Sequence, residues 1–275
     1  MFLKFYKPHV LLDPLISSIM IFAEQFNKNA PLTPIPFPPL PEQSLFFYPR
    51  SPISATIHET NNTLLKPTSI FVGPQIKRVN LILGHNHVVI RVGFKPGGLY
   101  RLLQLPMYEV VDNAFNSADF FPQEIKQINE QLFNTNSFDE MASIIQSFLL
   151  TKLSNLKPIT PFDNAMMVLI QSRTSLSIEH IASIACISIR QFERQCKERV
   201  GMPPKLFARI ARFSNAYRLF EASQTLSWTE IAHRCNYYDQ MHFIKDCKEF
   251  AGVIPTVIAK EVIKAPAQLQ YMLKL

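Results

Sequence analysis

Two stretches of this 275-residue chain place cationic and amide side chains at helical spacing. In the first, Arg190, Glu193, Arg194 and Lys197 gather on one side at ~100° per residue, opposite Ile189, Phe192, Cys196 and Val200. In the second, Met241, Lys245 and Lys248 hold the equivalent positions, opposite Phe243, Cys247 and Phe250. Arg or Lys can donate to guanine O6 and N7, and Gln can pair with adenine, so such faces suit the edges of base pairs in a major groove. One such helix would be an ordinary amphipathic element with a solvated side. Two, with basic or polar groups at matching positions, carry more weight.

The elements that would position these faces are themselves duplicated. The run from Ser177 aligns with the run from Ser227: Ile181-Ala182 matches Ile231-Ala232, 50 residues on, while Phe192, Cys196, Lys197-Glu198, Gly201 and Pro204 match Phe243, Cys247, Lys248-Glu249, Gly252 and Pro255, 51 residues on. The second copy therefore holds one extra residue between its helices. Each copy reads as a short helix, a tight turn and a longer helix. Ser188 with Gln191 and Ser227 with Glu230 fit the capping box, and Asp239 is expected to cap the last long helix.

These residues carry a resemblance. From about Thr174 to Val262, including NYYDQMHFIKDCKEFAGVIP and a linker helix near Pro204 to Ala222 with Arg212 and Ala216, the chain resembles the DNA-binding domain of the AraC/XylS transcription regulators. The resemblance implies two helix-turn-helix modules presenting helices near 189–200 and 239–250 to adjacent major grooves of double-stranded DNA, usually as an activator. It implies base readers at Arg190, Glu193, Arg194, Gln240, Met241, His242 and Lys245, and phosphate contacts at Lys197, Arg212 and Lys248. Cys186 and Asn236 stand where the family usually has Gly; Cys tolerates positive φ poorly, so the first turn is expected to differ in detail.

The N-terminal half reads differently. Ser18 to Phe26 is a candidate strand, the prolines from Pro31 to Pro41 make a loop, and SLFFY, TSIFV, VNLIL and VVIRVGF are β-leaning, the last two forming a hairpin about Gly84-His85-Asn86. Helices are expected after Pro96-Gly97-Gly98 and near Pro122–Phe133 and Phe138–Leu153. Val92 to Asp112 resembles an N-terminal domain found in some AraC-type regulators. By that resemblance it would bind a small-molecule effector, form a homodimer or touch RNA polymerase, and these remain open.

Other chemistry has thin support. His85 and His87, two apart on a strand, hint at a metal site, but Arg91 stands where a carboxylate ligand would be needed, which favours a polar hairpin tip and no metal or other cofactor. Gly97-Gly98 matches neither phosphate-loop spacing and reads as a strand-to-helix turn. No Ser-His-Asp, Cys-His or paired-carboxylate pattern stands out, so catalysis is not expected.

Composition agrees with a folded, two-domain protein: 47% hydrophobic, 18% charged and a mean hydropathy of +0.05. Of the net charge of +7, residues up to Lys157 hold 13 basic against 11 acidic groups, and those beyond hold 15 against 10. The four cysteines lack metal-ligand spacing and read as reduced core thiols of a cytoplasmic protein, with neither a secretory leader nor a membrane span expected.

The expected organisation is an α+β N-terminal domain (1–154), β-rich with flanking helices, a linker (155–161), and an all-α tandem helix-turn-helix domain (162–275) joined within by a long helix. Two rival classes remain: a small-molecule- or metal-binding protein or enzyme whose N-terminal domain carries the activity, and a module whose charged helices bind acidic proteins.

Overall fold

The computed structural model describes residues 1–270 except 30, 58–61, 173–175, 224, 266 and 268. Thr174, the start of the resembling segment, and the chain end at 271–275 lie outside the described residues.

The N-terminal half holds two antiparallel sheets. One has six strands, β1 (Phe2–Tyr6), β2 (Ile16–Gln25), β4 (Ser44–Phe47), β7 (Ser69–Val72), β9 (Asn86–Phe94) and β10 (Ala114–Asn116), in the order β1-β2-β9-β4-β7-β10. The other has β3 (Ile35–Phe37), β5 (Ser54–Ile57), β6 (Thr63–Leu65) and β8 (Val79–Ile82), in the order β3-β8-β5-β6. The run around β2 is apolar almost throughout because both of its faces are covered. Ile19 and Ile21 turn toward α2 (Pro122–Asn134) and α3 (Phe138–Thr151), packing with Ile125, Leu132 and Ile145, while Met20 and Phe22 join Ile35, Tyr48 and Leu83 on the other side. In β9, Ile90 and Val92 face the helices and Val89 the second sheet.

Two expectations need correction. β8 and β9 do not form a hairpin: β9 has both edges filled, by β2 and β4, so β8 crosses to the second sheet and pairs with β3 and β5. The proline-rich stretch is not wholly loop, since Ile35–Phe37 forms an edge strand with Pro36 opposite Asn80. Proline is tolerated there because an edge strand leaves one row of amides unpaired.

The helical elements agree with the sequence. After α1 (Gly98–Leu103) and the α2–α3 pair come α4 (Pro161–Gln171), α5 (Ile178–Ile184), α6 (Ile189–Val200), α7 (Pro204–Ala222), α8 (Trp228–Arg234), α9 (Gln240–Asp246) and α10 (Pro255–Lys264). From α4 onward they share one core, centred on Phe162, Phe192, Phe207, Phe213, Phe243 and Phe250. The fold is thus a β-rich N-terminal domain with flanking helices and a helical C-terminal domain in which a long helix joins two similar modules. The segment between them is tied to Arg101 by two bonds: Lys157 N–H donates to the Arg101 carbonyl at 3.2 Å, and the Arg101 side chain donates through Nε to the Lys157 carbonyl at 2.8 Å.

Candidate nucleic-acid interface

Each module is built by the same local devices. Ser188 and Gln191 exchange bonds at the start of α6, the Ser188 amide donating to Gln191 Oε1 at 3.1 Å and the Gln191 amide to Ser188 Oγ at 3.3 Å. Ser227 and Glu230 do the same for α8. Asp239 caps α9, accepting from the His242 amide at 2.8 Å, while His242 Nδ1 lies 2.8 Å from the same carboxylate oxygen. Those backbone bonds, then the His242 side chain, hold Asp239 below its ordinary pKa.

The turns also match. Cys186 and Asn236 both adopt left-handed backbone, with φ of 54° and 58°. The following amides, Ile187 and Tyr237, donate back to Ala182 and Ala232 at 3.2 and 3.0 Å. The first turn therefore does not deviate as expected: it takes the same shape with Cys186 in the strained conformation, because Ile187 must still reach the core. Cys196 and Cys247 are core thiols, pushed well up in pKa by burial, but Cys186 is exposed and Cys235 half-buried, so the expectation of four core thiols holds for two.

Packing Phe192, Cys196 and Val200 inward leaves Arg190, Glu193, Arg194 and Lys197 exposed on α6. Among the described residues, Arg190 and Arg194 make no hydrogen bond or ion pair, whereas Lys197 lies over the Tyr108 ring at 5.8 Å. In the second module Gln240, Met241, His242, Lys245 and Lys248 are exposed. The second long helix is less regular than expected, passing from α9 into a π-helical turn at Cys247–Ala251, so Lys245 and Lys248 stand on different backbone geometries. Arg212 differs from the other expected phosphate contacts: it lies 3.5 Å from Asp246 and 4.4 Å over the Tyr237 ring, turned into the fold.

Sequence reasoning missed what stiffens this face. Arg209 forks across Asp246 and Glu249 at 2.6 Å each, tying α7 to the second module, and Glu249 first, then Asp246, raises its pKa. Tyr237 donates to Asp246 at 3.1 Å. The C-terminal half of α6 meets the N-terminal domain where Tyr100 donates to Glu198 at 2.7 Å, and meets the start of α4 where Arg199 reaches Asp163 at 2.7 Å and Thr160 at 2.8 Å. Gly201, with φ of 89°, ends α6 where an added Cβ would stand 2.4 Å from Pro74 and 2.9 Å from the Met107 carbonyl oxygen. Thr160 and Asp163, the cap of α4, spell a capping-box pattern that could have been read in the sequence.

The sheets enclose a cavity of ≈ 510 Å³ whose walls include Met20, Phe22, Tyr48, His87, Arg91 and Leu269. His87 is not a hairpin tip: it is buried, its Nδ1 has no partner in the described structure, and burial lowers its pKa to about 4. Arg91, fully buried, pairs with Glu42. Among the described residues no cluster of three or more His, Cys, Asp or Glu could hold a metal ion, and no helix is long and apolar enough to cross a membrane.

Residues 181–261 match a protein family described as a helix-turn-helix domain. With the duplicated modules above, this makes the C-terminal part of the chain a helix-turn-helix domain of the AraC type. Among solved structures, ToxT from Vibrio cholerae with a bound unsaturated fatty acid is similar at 12% identity, over 91% of this chain and 98% of that one, with a TM-score of 0.49. An AraC-type regulator from Chromobacterium violaceum is similar at 21% identity over 39% and 95% of the two chains (TM-score 0.35), and the DNA-binding domain of AdpA in complex with a target DNA at 22% over 37% and 92% (TM-score 0.35). No curated protein matches the chain in sequence.

Proposed function

We propose that this chain is a sequence-specific regulator that lays α6 and α9 in adjacent major grooves and activates transcription. Supporting this above all is the exposure, at equivalent positions of two duplicated helices, of Arg194 and Lys245, neither with a hydrogen bond or ion pair among the described residues. Such groups have no internal hydrogen bond to break before they meet a base edge. Arg190, Glu193 and Arg194 would read one half-site, and Gln240, Met241, His242 and Lys245 the other. Lys197 and Lys248 would meet phosphates; Arg212, already against Asp246, is the weakest of the three phosphate candidates. Activation rather than repression follows the AraC/XylS resemblance. The cavity between the sheets would seat a mostly apolar effector with one polar group at the His87 and Arg91 end.

Duplexes selected from a random pool by the full chain test this reading. Arg194→Ala and Lys245→Ala should each weaken binding to the selected duplex by ~1–3 kcal/mol and binding to a scrambled duplex by less. Equal losses on both would make these side chains phosphate contacts and remove them from base readout.

A further inference from the structure

The extra residue of the second module can be located from the backbone. Ile187 and Tyr237 correspond, since each follows the left-handed residue, sends its amide back to the preceding helix and packs into the helical core. The caps also correspond: Ser188 for α6 and Asp239 for α9. The first module passes directly from Ile187 to its cap. The second inserts Tyr238, which is 92% exposed, with its ring edge-on to His242 at 5.9 Å.

Three residues later Met241 is 70% exposed, at the position that Arg190 holds in the first module. Two large apolar side chains thus stand in water beside Gln240 and Lys245, on the surface continuous with the proposed base readers. Arg190 carries donors for guanine N7 and O6. Met241 carries none, and the feature of the major-groove floor complementary to it is the C5 methyl of thymine. We propose that the second module selects thymine by methyl contact through Met241 and the inserted Tyr238, so that the two half-sites are read by different chemistry. This rests on the DNA-binding reading above.

Replacing thymines one at a time by deoxyuridine in the selected duplex removes only the methyl. In the half-site whose binding Lys245→Ala weakens, uracil at one or two positions should reduce affinity about fourfold, the worth of one methyl taken from water. Met241→Ala and Tyr238→Ala should each abolish or shrink that difference, and Tyr238→Phe should keep it; both side chains are exposed, so folding is checked simply by unchanged circular dichroism. A second half-site without thymine, uracil bound as well as thymine throughout it, or an undiminished difference in Met241→Ala would overturn the proposal while leaving selective DNA binding intact. Equal binding of selected and scrambled duplexes by the unaltered chain would instead remove the DNA-binding reading, and this proposal with it.

Discussion

His87 shows how far a side chain's chemistry can depart from what its neighbours in sequence suggest. Only 2% exposed, beside the rings of Phe22 at 5.8 Å and Tyr48 at 6.3 Å, its imidazole is held neutral by burial, with a pKa lowered to about 4 from an ordinary 6.5. The unfolded chain then binds the proton more readily than the folded one, so stability is intact above pH 6.5 and falls as pH drops toward 4. The full loss is on the order of 3 kcal/mol. Urea unfolding at pH 7 and pH 5 should show a drop in the unaltered protein that is largely absent in His87→Phe; parallel drops would place the pH sensitivity elsewhere. The capping groups could be read from the sequence because a cap and its partner lie three residues apart, as Ser188 and Gln191 do. The burial of His87 and the pairing of Arg91 with Glu42 could not, since both depend on strands brought together from distant parts of the chain.

At the level of elements the same division holds. Helix periodicity is local, and the linker helix runs over Pro204–Ala222 as its pattern requires. Strand pairing is not: β8 and β9 look like a hairpin because only three residues part them, yet the prior claim of β2 and β4 on both edges of β9 separates them. The turns are an intermediate case. Cys186 takes the same shape as Asn236 where the sequence predicts a deviation, and at φ 54° it holds a conformation that costs a residue with a Cβ roughly 1–2 kcal/mol, whereas asparagine as a residue type adopts such a φ, here 58°, more readily. Cys186→Gly should therefore raise stability by about 1 kcal/mol, glycine's greater unfolded entropy offsetting part of the relief. Asn236→Gly should change it by less. Thermal melts of the two variants decide the matter, and a larger gain at Asn236 would refute the account.

Across the whole molecule, the N-terminal domain grips both modules at separate points, and this bears on how the two proposed recognition faces hold their spacing. The first grip is Tyr100 on Glu198, near the end of α6. The second is Arg78, which donates to both Glu261 carboxylate oxygens of α10, at 2.8 and 3.0 Å, and to the Ala251 carbonyl at 3.2 Å. The partners are unequal: the Arg78 side chain is 5% exposed and that of Glu261 is 30%. Removing the carboxylate strands a buried guanidinium, whereas removing the guanidinium leaves a carboxylate that can turn to water, so the two losses should differ. Glu261→Ala is expected to cost about 2–3 kcal/mol and Arg78→Met about 1 kcal/mol, values below those for fully buried pairs because Glu261 is partly solvated. Hydrogen exchange locates the effect. In Glu261→Ala the amides of α10 should exchange faster while those of α6, held through Tyr100, should not. If α6 loosens equally, the two modules move as one body and the second grip does not set their spacing independently.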